Sequence, residues 1–439
     1  VESDSTDLAA QTLSICRDLI RIDTTNTGDD GSVGERLAAE YVLGLLQDLG
    51  YEPHLVESRP KRASVLLRIE GSQGSRPALV WHGHLDVVPA IAQEWQVDPF
   101  GAEVIDGILW GRGAVDMKNV DAMMLAVVKQ WALTGTKPPR DILLCFFADE
   151  ESGGKLGAHW LVDHQREFFE GANEAVGEVG GFSTSLAGRR TYLIQTAEKG
   201  IAWLRLVAKG TAGHGSAQNP DNAVNHLVDA LSRIAQVSWP RELTPTMTAL
   251  LEGASELTGL RFEPDDPAAI DQIIAAFGPA GRWVAPSLST SCNLTGLDAG
   301  SKVNVVPGRA QAMIDIRPLP GQRDLVFETV TDLAGPQVKV ETINDDVAVQ
   351  APLDRPLVSA MKAALKRADP SAGIVPYMLP AGTDAKALSR LSLACYGFAP
   401  LRLPDGFDFT AMFHGVDERV PVEALAFGAE VLADFLAQC

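Results

Sequence analysis

The chain has 439 residues, 46% hydrophobic and 21% charged, with a formal net charge of -20 and an isoelectric point near 4.8. That length exceeds one ordinary core and fits two domains, or one domain carrying an insertion, and the composition is globular rather than disordered. The acidic balance argues against nucleic acid or an anionic membrane as the main partner, and no run approaches the roughly 20 apolar residues needed to cross a bilayer.

The opening Val1-Glu2-Ser3-Asp4-Ser5 has neither a basic nor an apolar targeting character. Five scattered cysteines (Cys16, Cys145, Cys292, Cys395, Cys439) form no C-x-x-C pair, so reduced thiols and a cytoplasmic location are expected. Apolar spacing predicts a helix over 8–22, with Leu13, Cys16, Leu19 and Ile20 on one face, then a polar turn over 24–31. A second helix is expected over 34–49 (Leu37, Tyr41, Val42, Leu45, Leu46), stopped by Gly50. Strands follow over 54–57, 64–69 and 78–81, an order that suits an α/β sheet covered on both faces.

The third strand runs into Trp81-His82-Gly83-His84-Leu85-Asp86. Residues two apart on a strand share a face, so His84 and Asp86 can converge on one target, and that pair suits a borderline divalent ion such as zinc. A buried His satisfied by its Asp neighbour is the plainer reading of that triplet alone. The turn Gly111-Arg112-Gly113-Ala114-Val115-Asp116-Met117-Lys118 lacks phosphate-loop order, and its glycines let the backbone bend to present Asp116. A helix over 119–133 follows at once, so Asp116 taken alone reads as an N-cap. An apolar strand over 141–148 ends in Asp149-Glu150-Glu151, three acids that repel unless cations or protons compensate. A solvated loop ahead of a helix over 155–164 is the competing reading. Glu178 supplies a further acid after Ala175-Val176.

Beyond Glu198-Lys199-Gly200 the texture changes. A strand over 201–208, a helix over 222–234, strands near 288–294 and 310–316, a helix over 323–333 and a strand over 338–342 give the split-βαβ, ferredoxin-like order. The segment 238–286 between them reads as irregular. The expected division is therefore a catalytic domain over 1–198 and 349–439, interrupted by a small inserted domain over 199–348. Helices over 357–368 and 422–437 complete the chain.

Of the eight histidines, His84, His414 and His214, the last within Gly213-His214-Gly215-Ser216, stand out. His84, Asp116, Glu151, Glu178 and His414 offer two imidazoles and three carboxylates, a set that two zinc ions sharing one carboxylate can use. Glu150 would then be the general base, with Asp86 orienting His84 from behind.

The ordered series His84-Leu85-Asp86, Gly111-Arg112-Gly113-Ala114-Val115-Asp116-Met117-Lys118, Asp149-Glu150-Glu151, Glu178-Val179-Gly180-Gly181, Gly213-His214-Gly215-Ser216, Asn304-Val305-Val306-Pro307, Asp315-Ile316-Arg317, Gly382-Thr383-Asp384 and His414-Gly415-Val416-Asp417-Glu418-Arg419 spans residues 82 to 421. It resembles the co-catalytic di-zinc amidohydrolase family that includes carboxypeptidase G, aminoacylase, carnosinase, acetylornithine deacetylase and succinyl-diaminopimelate desuccinylase. The resemblance implies a three-layer, zinc-exopeptidase-like catalytic domain, with the insertion serving as a lid and dimerisation domain of a homodimer. It implies two Zn2+ per chain, with Co2+ or Mn2+ as substitutes: His84 and Glu178 on one ion, Glu151 and His414 on the other, Asp116 bridging and followed by a cis peptide bond. Glu150 would deprotonate the bridging water, and His214 would stabilise the oxyanion from the partner subunit. Arg317 and Asn304, with backbone near Gly382 and Thr383, would grip a substrate carboxylate. The implied reaction is hydrolysis of an amide next to a free carboxylate, in a peptide or an N-acyl amino acid. A biosynthetic N-succinyl or N-acetyl deacylase is the near alternative, and an inactive metal-binding homologue the distant one. One departure stands out: Lys386 occupies the place where many relatives carry Arg.

Overall fold

The computed structural model describes residues 7–29 and 31–439; the opening residues 1–5 and residue 30 of the expected polar turn lie outside the described residues. A ten-stranded sheet organises the larger body. Its main path runs His54–Arg59, Arg62–Ile69, Ile142–Phe147, Ala78–His84, Ala172–Gly177, Ala394–Gly397, Arg189–Glu198 and Val349–Gln350. Gly373–Leu379 and Phe182–Leu186 also pair with Arg189–Glu198.

Ala78–His84 and Ile142–Phe147 are parallel neighbours, buried at every position. Alternation sends Leu79, Trp81, Leu144 and Phe146 into the layer formed with Leu8–Arg21, Lys118–Thr134 and Val422–Leu436. Val80, Leu143, Cys145 and Phe147 pack the other way, against Ala158–His164 and Ala385–Ser389. Both faces of a central parallel sheet must be covered, which is why these strands read as unbroken apolar runs. The result is a three-layer body.

The smaller sheet is antiparallel, in the order Ser291–Ala299, Arg309–Arg317, Ile201–Lys209, Val338–Asp346. The helices Ala223–Ala235 and Arg323–Ala334 pack on it around Leu204, Leu227, Ile314 and Val330. This is the ferredoxin-like order expected from the sequence.

Several details differ from the sequence reading. The stretch 238–286 is not irregular: it contains the helices Pro245–Thr258, Pro267–Ala276 and Gly281–Val284. Thr244 and Asp266 cap the first two, each followed by a proline at the first helical position. Met247, Leu250, Ile273 and Phe277 of this excursion pack into the core of the large sheet, not that of the small one. Leu37, assigned to an apolar face, is 62% exposed; Val42 and Leu46 make the expected contact, joined by Ala38 and Ala39. Gly50 does end this helix, at φ +85°, with its N–H on Gln47 O and that of Tyr51 on Leu46 O. The strands Arg189–Glu198, Gly373–Leu379 and Ala394–Gly397 were not anticipated.

Chain crossings between the two bodies are tied by buried lysines. Lys386 Nζ donates to Lys199 O (2.5 Å) and Val347 O (3.2 Å), and lies 3.2 Å from Glu198 Oε1. One ammonium thus holds both the outgoing and the final returning connection. Lys199 Nζ donates to Pro286 O (3.0 Å), Ser289 O (2.8 Å) and Ser291 Oγ (3.2 Å), tying a third crossing. Lys386→Met would strand the fully buried Glu198 carboxylate, a loss of about 3–5 kcal/mol when one partner of a buried pair is removed. Urea unfolding should show that drop; a change under about 0.5 kcal/mol, the range of ordinary surface substitutions, would show the pair to be idle.

Candidate active site

Three parallel strands, Ile142–Phe147, Ala78–His84 and Ala172–Gly177, lie side by side in the large sheet. Their C-terminal ends deliver Glu150 and Glu151, His84, and Glu178 to one edge, the usual ligand position of an open α/β sheet. Asp116 arrives from the turn before Lys118–Thr134, and His414 from the loop before Arg419–Pro421. Asp116 caps no helix; Met117 holds that position, and the Asp116–Met117 peptide is cis.

Two triangles share one carboxylate. His84 Nε2 is 3.1 Å from Asp116 Oδ1 and 3.4 Å from Glu178 Oε2. His414 Nε2 is 3.0 Å from Glu151 Oε2 and 3.4 Å from Asp116 Oδ2. In each triangle the ligand-type atoms lie within 4.8 Å of one another. Burial pushes both Glu151 and Glu178 up to about 7; the Asp116 charge adds to it in both, against the opposing charge of His84. Burial would raise Asp116 too, but hydrogen bonds to His414 and His84 hold it below the usual range. Hydrogen bonds to Asp116 and Glu151 push His414 up to about 10.

His84 Nδ1 faces Asp86 O at 3.0 Å, the tautomer that leaves Nε2 free toward the carboxylates. Orientation of the ring therefore comes from the main chain of Asp86. Its carboxylate lies 3.6 Å from Nδ1 and instead accepts the N–H groups of Glu150 (3.1 Å) and Glu151 (3.0 Å) and the amide of Asn26 (2.8 Å). Asp86 thus shapes the acidic loop. Glu418 does the same for the other turn: it accepts from Gly113 N, Val115 N, Asp116 N and Arg112 Nη1 at 2.7–3.1 Å. Arg112 Nη2 in turn donates to Gly415 O at 3.0 Å, beside His414. Sequence reading gave Glu418, Arg112 and Asn26 no role, although the first two sit inside the recognised motifs.

Glu150 stands outside both triangles, its Oε2 3.9 Å from His84 Nε2, and burial followed by the Glu178 charge raises its pKa well above the ordinary value. The remaining candidates lie elsewhere. His214 is exposed on a two-residue ribbon paired with Val305, its Nδ1 2.7 Å from Ser216 Oγ, and Gly215 N donates to Asn304 O. Arg317 lays its fork on Asp315 of the same strand, at 2.7 and 3.0 Å. Thr383 Oγ1 donates to Glu198 Oε2 at 2.9 Å, and Gly382 packs against the Lys386 side chain. His82 is buried against Phe147, and burial pushes it down to about 3.

The cluster fits divalent metal. Glu151 Oε1 is buried without a hydrogen-bond partner, and crowded acids with facing imidazole nitrogens form a hard-to-borderline donor set. Without metal, Glu151 and Glu178 hold protons up to about 7 against ordinary values of 4.5, and His414 up to about 10 against 6.5. The native metal-free chain then binds more protons than the unfolded chain, so its stability falls as pH rises through these windows. Zinc competes with those same protons and binds more tightly as they leave. The gap in melting temperature between zinc-loaded and metal-free protein should therefore widen from about pH 5 to about pH 8. A constant gap in thermal scans would remove these groups from the metal site.

The chain is 28% identical over 385 residues to the human N-fatty-acyl-amino acid synthase/hydrolase PM20D1, covering 82% of this chain and 74% of that protein. It is 24% identical over 433 residues to pig aminoacylase-1, covering 97% and 94%. The M20 family metallo-carboxypeptidase Sso-CP2 from Sulfolobus solfataricus has the same fold, with a TM-score of 0.75 at 19% identity over 98% of this chain and 99% of that one. The family model described as peptidase family M20/M25/M40 matches residues 80–438, and the chain belongs to that family.

Proposed function

We propose that this amide-bond hydrolase cleaves an amide adjacent to a free carboxylate, in a peptide or an N-acyl amino acid, using two zinc ions. The observation that carries the reading is the pair of triangles meeting at Asp116. His84 and Glu178 would hold one ion, Glu151 and His414 the other, and Asp116 both; Co2+ or Mn2+ would substitute. When bound, the metals supply Lewis acidity toward a carbonyl and a water of lowered pKa.

The chain's own residues do the rest. Glu150, buried and unattached to either triangle, accepts the proton of the attacking water and returns it to the leaving amine. Asp86 and Glu418 hold the two acidic turns in place. Asn304 and Arg317 receive the substrate carboxylate, for which Arg317 exchanges its Asp315 partner. His214 serves the oxyanion from a second copy of the chain, joined through the small sheet and its two helices, without the 238–286 excursion that packs on the large sheet. Leu294 and Leu297 are exposed on the edge strand Ser291–Ala299, which suits such a contact. Among the described residues no helix is long and apolar enough to cross a membrane, and we place the protein in the cytoplasm.

Hydrolysis of a panel of dipeptides and N-acyl amino acids should vanish on chelation and return with zinc, at two metals per chain as the shared-carboxylate site requires. Reconstituted protein that holds no metal and turns over nothing would overturn the reading. Mixing inactive Glu150→Gln and His214→Ala chains should restore part of the activity. No recovery after demonstrated subunit exchange would place His214 outside the reaction.

A further inference from the structure

His414 arrives at the cluster differently from the other proposed ligands. His84, Glu151 and Glu178 sit at or just beyond the ends of central strands, and the backbone of Asp116 rests on Glu418. His414 is carried by the loop 402–418, in left-handed backbone at φ +57° and with its side chain 58% exposed. From Asp408 to Gly415 the main-chain hydrogen bonds stay within the loop: Ala411 N to Asp408 O, Met412 N to Phe409 O and Gly415 N to Met412 O. Arg112 holds this stretch at Gly415 O, and its other ties to the body are side chains. Phe413 lies between two rings, Phe409 edge-on at 5.1 Å and Trp283 stacked at 5.5 Å with 20° between the planes. Asp408 accepts from Arg282 Nη2 at 2.8 Å. Arg282 and Trp283 are consecutive in the short helix Gly281–Val284 of the excursion. That helix is itself anchored. Val284 is buried in the large core, Ser287 Oγ donates to Met378 O at 2.8 Å, and Lys199 Nζ holds Pro286 O.

We infer that Trp283, stacked on Phe413, is a positioning residue for His414, so that the excursion 238–286 sets how tightly the ion shared by Glu151 and His414 is held; the inference rests on the two-ion reading above. A non-glycine residue at positive φ persists only where its surroundings over-determine it, and the ring next to His414 in the chain is where this loop is gripped. Stacking fixes a ring in its plane as well as in its place, which an aliphatic contact does not. A ligand on a loosely held loop must also be ordered when the ion binds, and that cost weakens the binding. The other triangle needs no such mounting. His84 ends a strand that is buried at every position, and its ring is aligned by Asp86 O. Loss of Trp283 should therefore weaken one ion and spare the other.

The test titrates the metal-free chain with zinc against a competing chelator, resolving the two ions. Trp283→Leu should weaken one ion about tenfold and leave the other within about twofold. Trp283→Phe, which keeps a ring against Phe413, should restore the affinity. Phe413→Leu breaks the stack from the other side and should weaken the same ion; it carries the test if Trp283→Leu does not fold. Adding Trp283→Leu to His414→Ala should cost nothing further, because the effect runs through His414. Equal weakening of both ions, weakening of neither, or an additive loss in the double variant would overturn the inference. A metal-free readout separates it from the two-ion reading. Amide hydrogen exchange over 409–417 should quicken about tenfold in Trp283→Leu but not in Trp283→Phe, with the strand Ile142–Phe147 unchanged. That result in a chain whose wild type binds fewer than two zinc ions, or whose His414→Ala variant loses none, would uphold the positioning while the two-ion reading fails. Unchanged exchange would overturn the positioning.

Discussion

Replacing Glu150 by Gln is expected to lower turnover by about 10²- to 10⁴-fold while the metal content stays at the wild-type level. The substitution keeps the volume of the side chain and leaves the main chain intact, including the Glu150 N–H that binds Asp86. What it removes is a carboxylate that can hold a proton. Glu150 is suited to that work because burial and the adjacent Glu178 favour its protonated form, while neither triangle needs it. Metal analysis on the sample used for kinetics separates the roles. Loss of zinc with loss of rate would make Glu150 a ligand, and a wild-type rate would move the base elsewhere.

Glu418→Ala should be the most damaging change away from the reacting groups. Its carboxylate is fully buried and accepts three backbone N–H groups and the Arg112 guanidinium. Removing it leaves those donors unsatisfied and Arg112 unpaired in the interior, a cost of about 3–5 kcal/mol. The damage should reach the chemistry as well, because the same carboxylate fixes the backbone of Asp116, and Arg112 steadies the loop of His414. Loss of such a supporting group weakens metal affinity by about 10- to 100-fold. Titration with a competing chelator would measure this. Destabilisation with unchanged zinc affinity would make Glu418 purely structural.

Much of the fold was legible because its signals are local. The run into His84 has the continuous apolar texture of a strand buried on both faces, and Gly50 marks a helix end by its need for positive φ. The small sheet was readable from alternating strands and amphipathic helices. The excursion 238–286 was missed although Thr244-Pro245 and Asp266-Pro267 are cap-and-start signals, because its apolar residues face a sheet distant in sequence. Strand Arg189–Glu198 was missed because Glu198 and Lys199 look like a surface turn, whereas both are buried. At the site, motif order picked out the groups that the fold gathers at one sheet edge. Their supports were invisible: that Asp86 holds a loop, or that Thr383 and Lys386 spend their polar atoms on Glu198, depends on contacts spanning up to 188 residues.

The lysine-tied crossings set a lever problem. The strand Ile201–Lys209 leaves the knot at Lys199 and runs nine residues outward before the ribbon that carries His214. At about 3.3 Å per residue the arm is roughly 30 Å long, so one degree of rotation at its base moves the tip by about 0.5 Å. With His214 in the oxyanion role proposed above, a displacement of about 1 Å is enough to cost the reaction about 10²-fold in rate. The tolerance at the knot is then about two degrees. Three crossings bound to two buried ammonium groups are a stiff mounting for so long an arm, and salt, which screens buried charges weakly, should do little to loosen it.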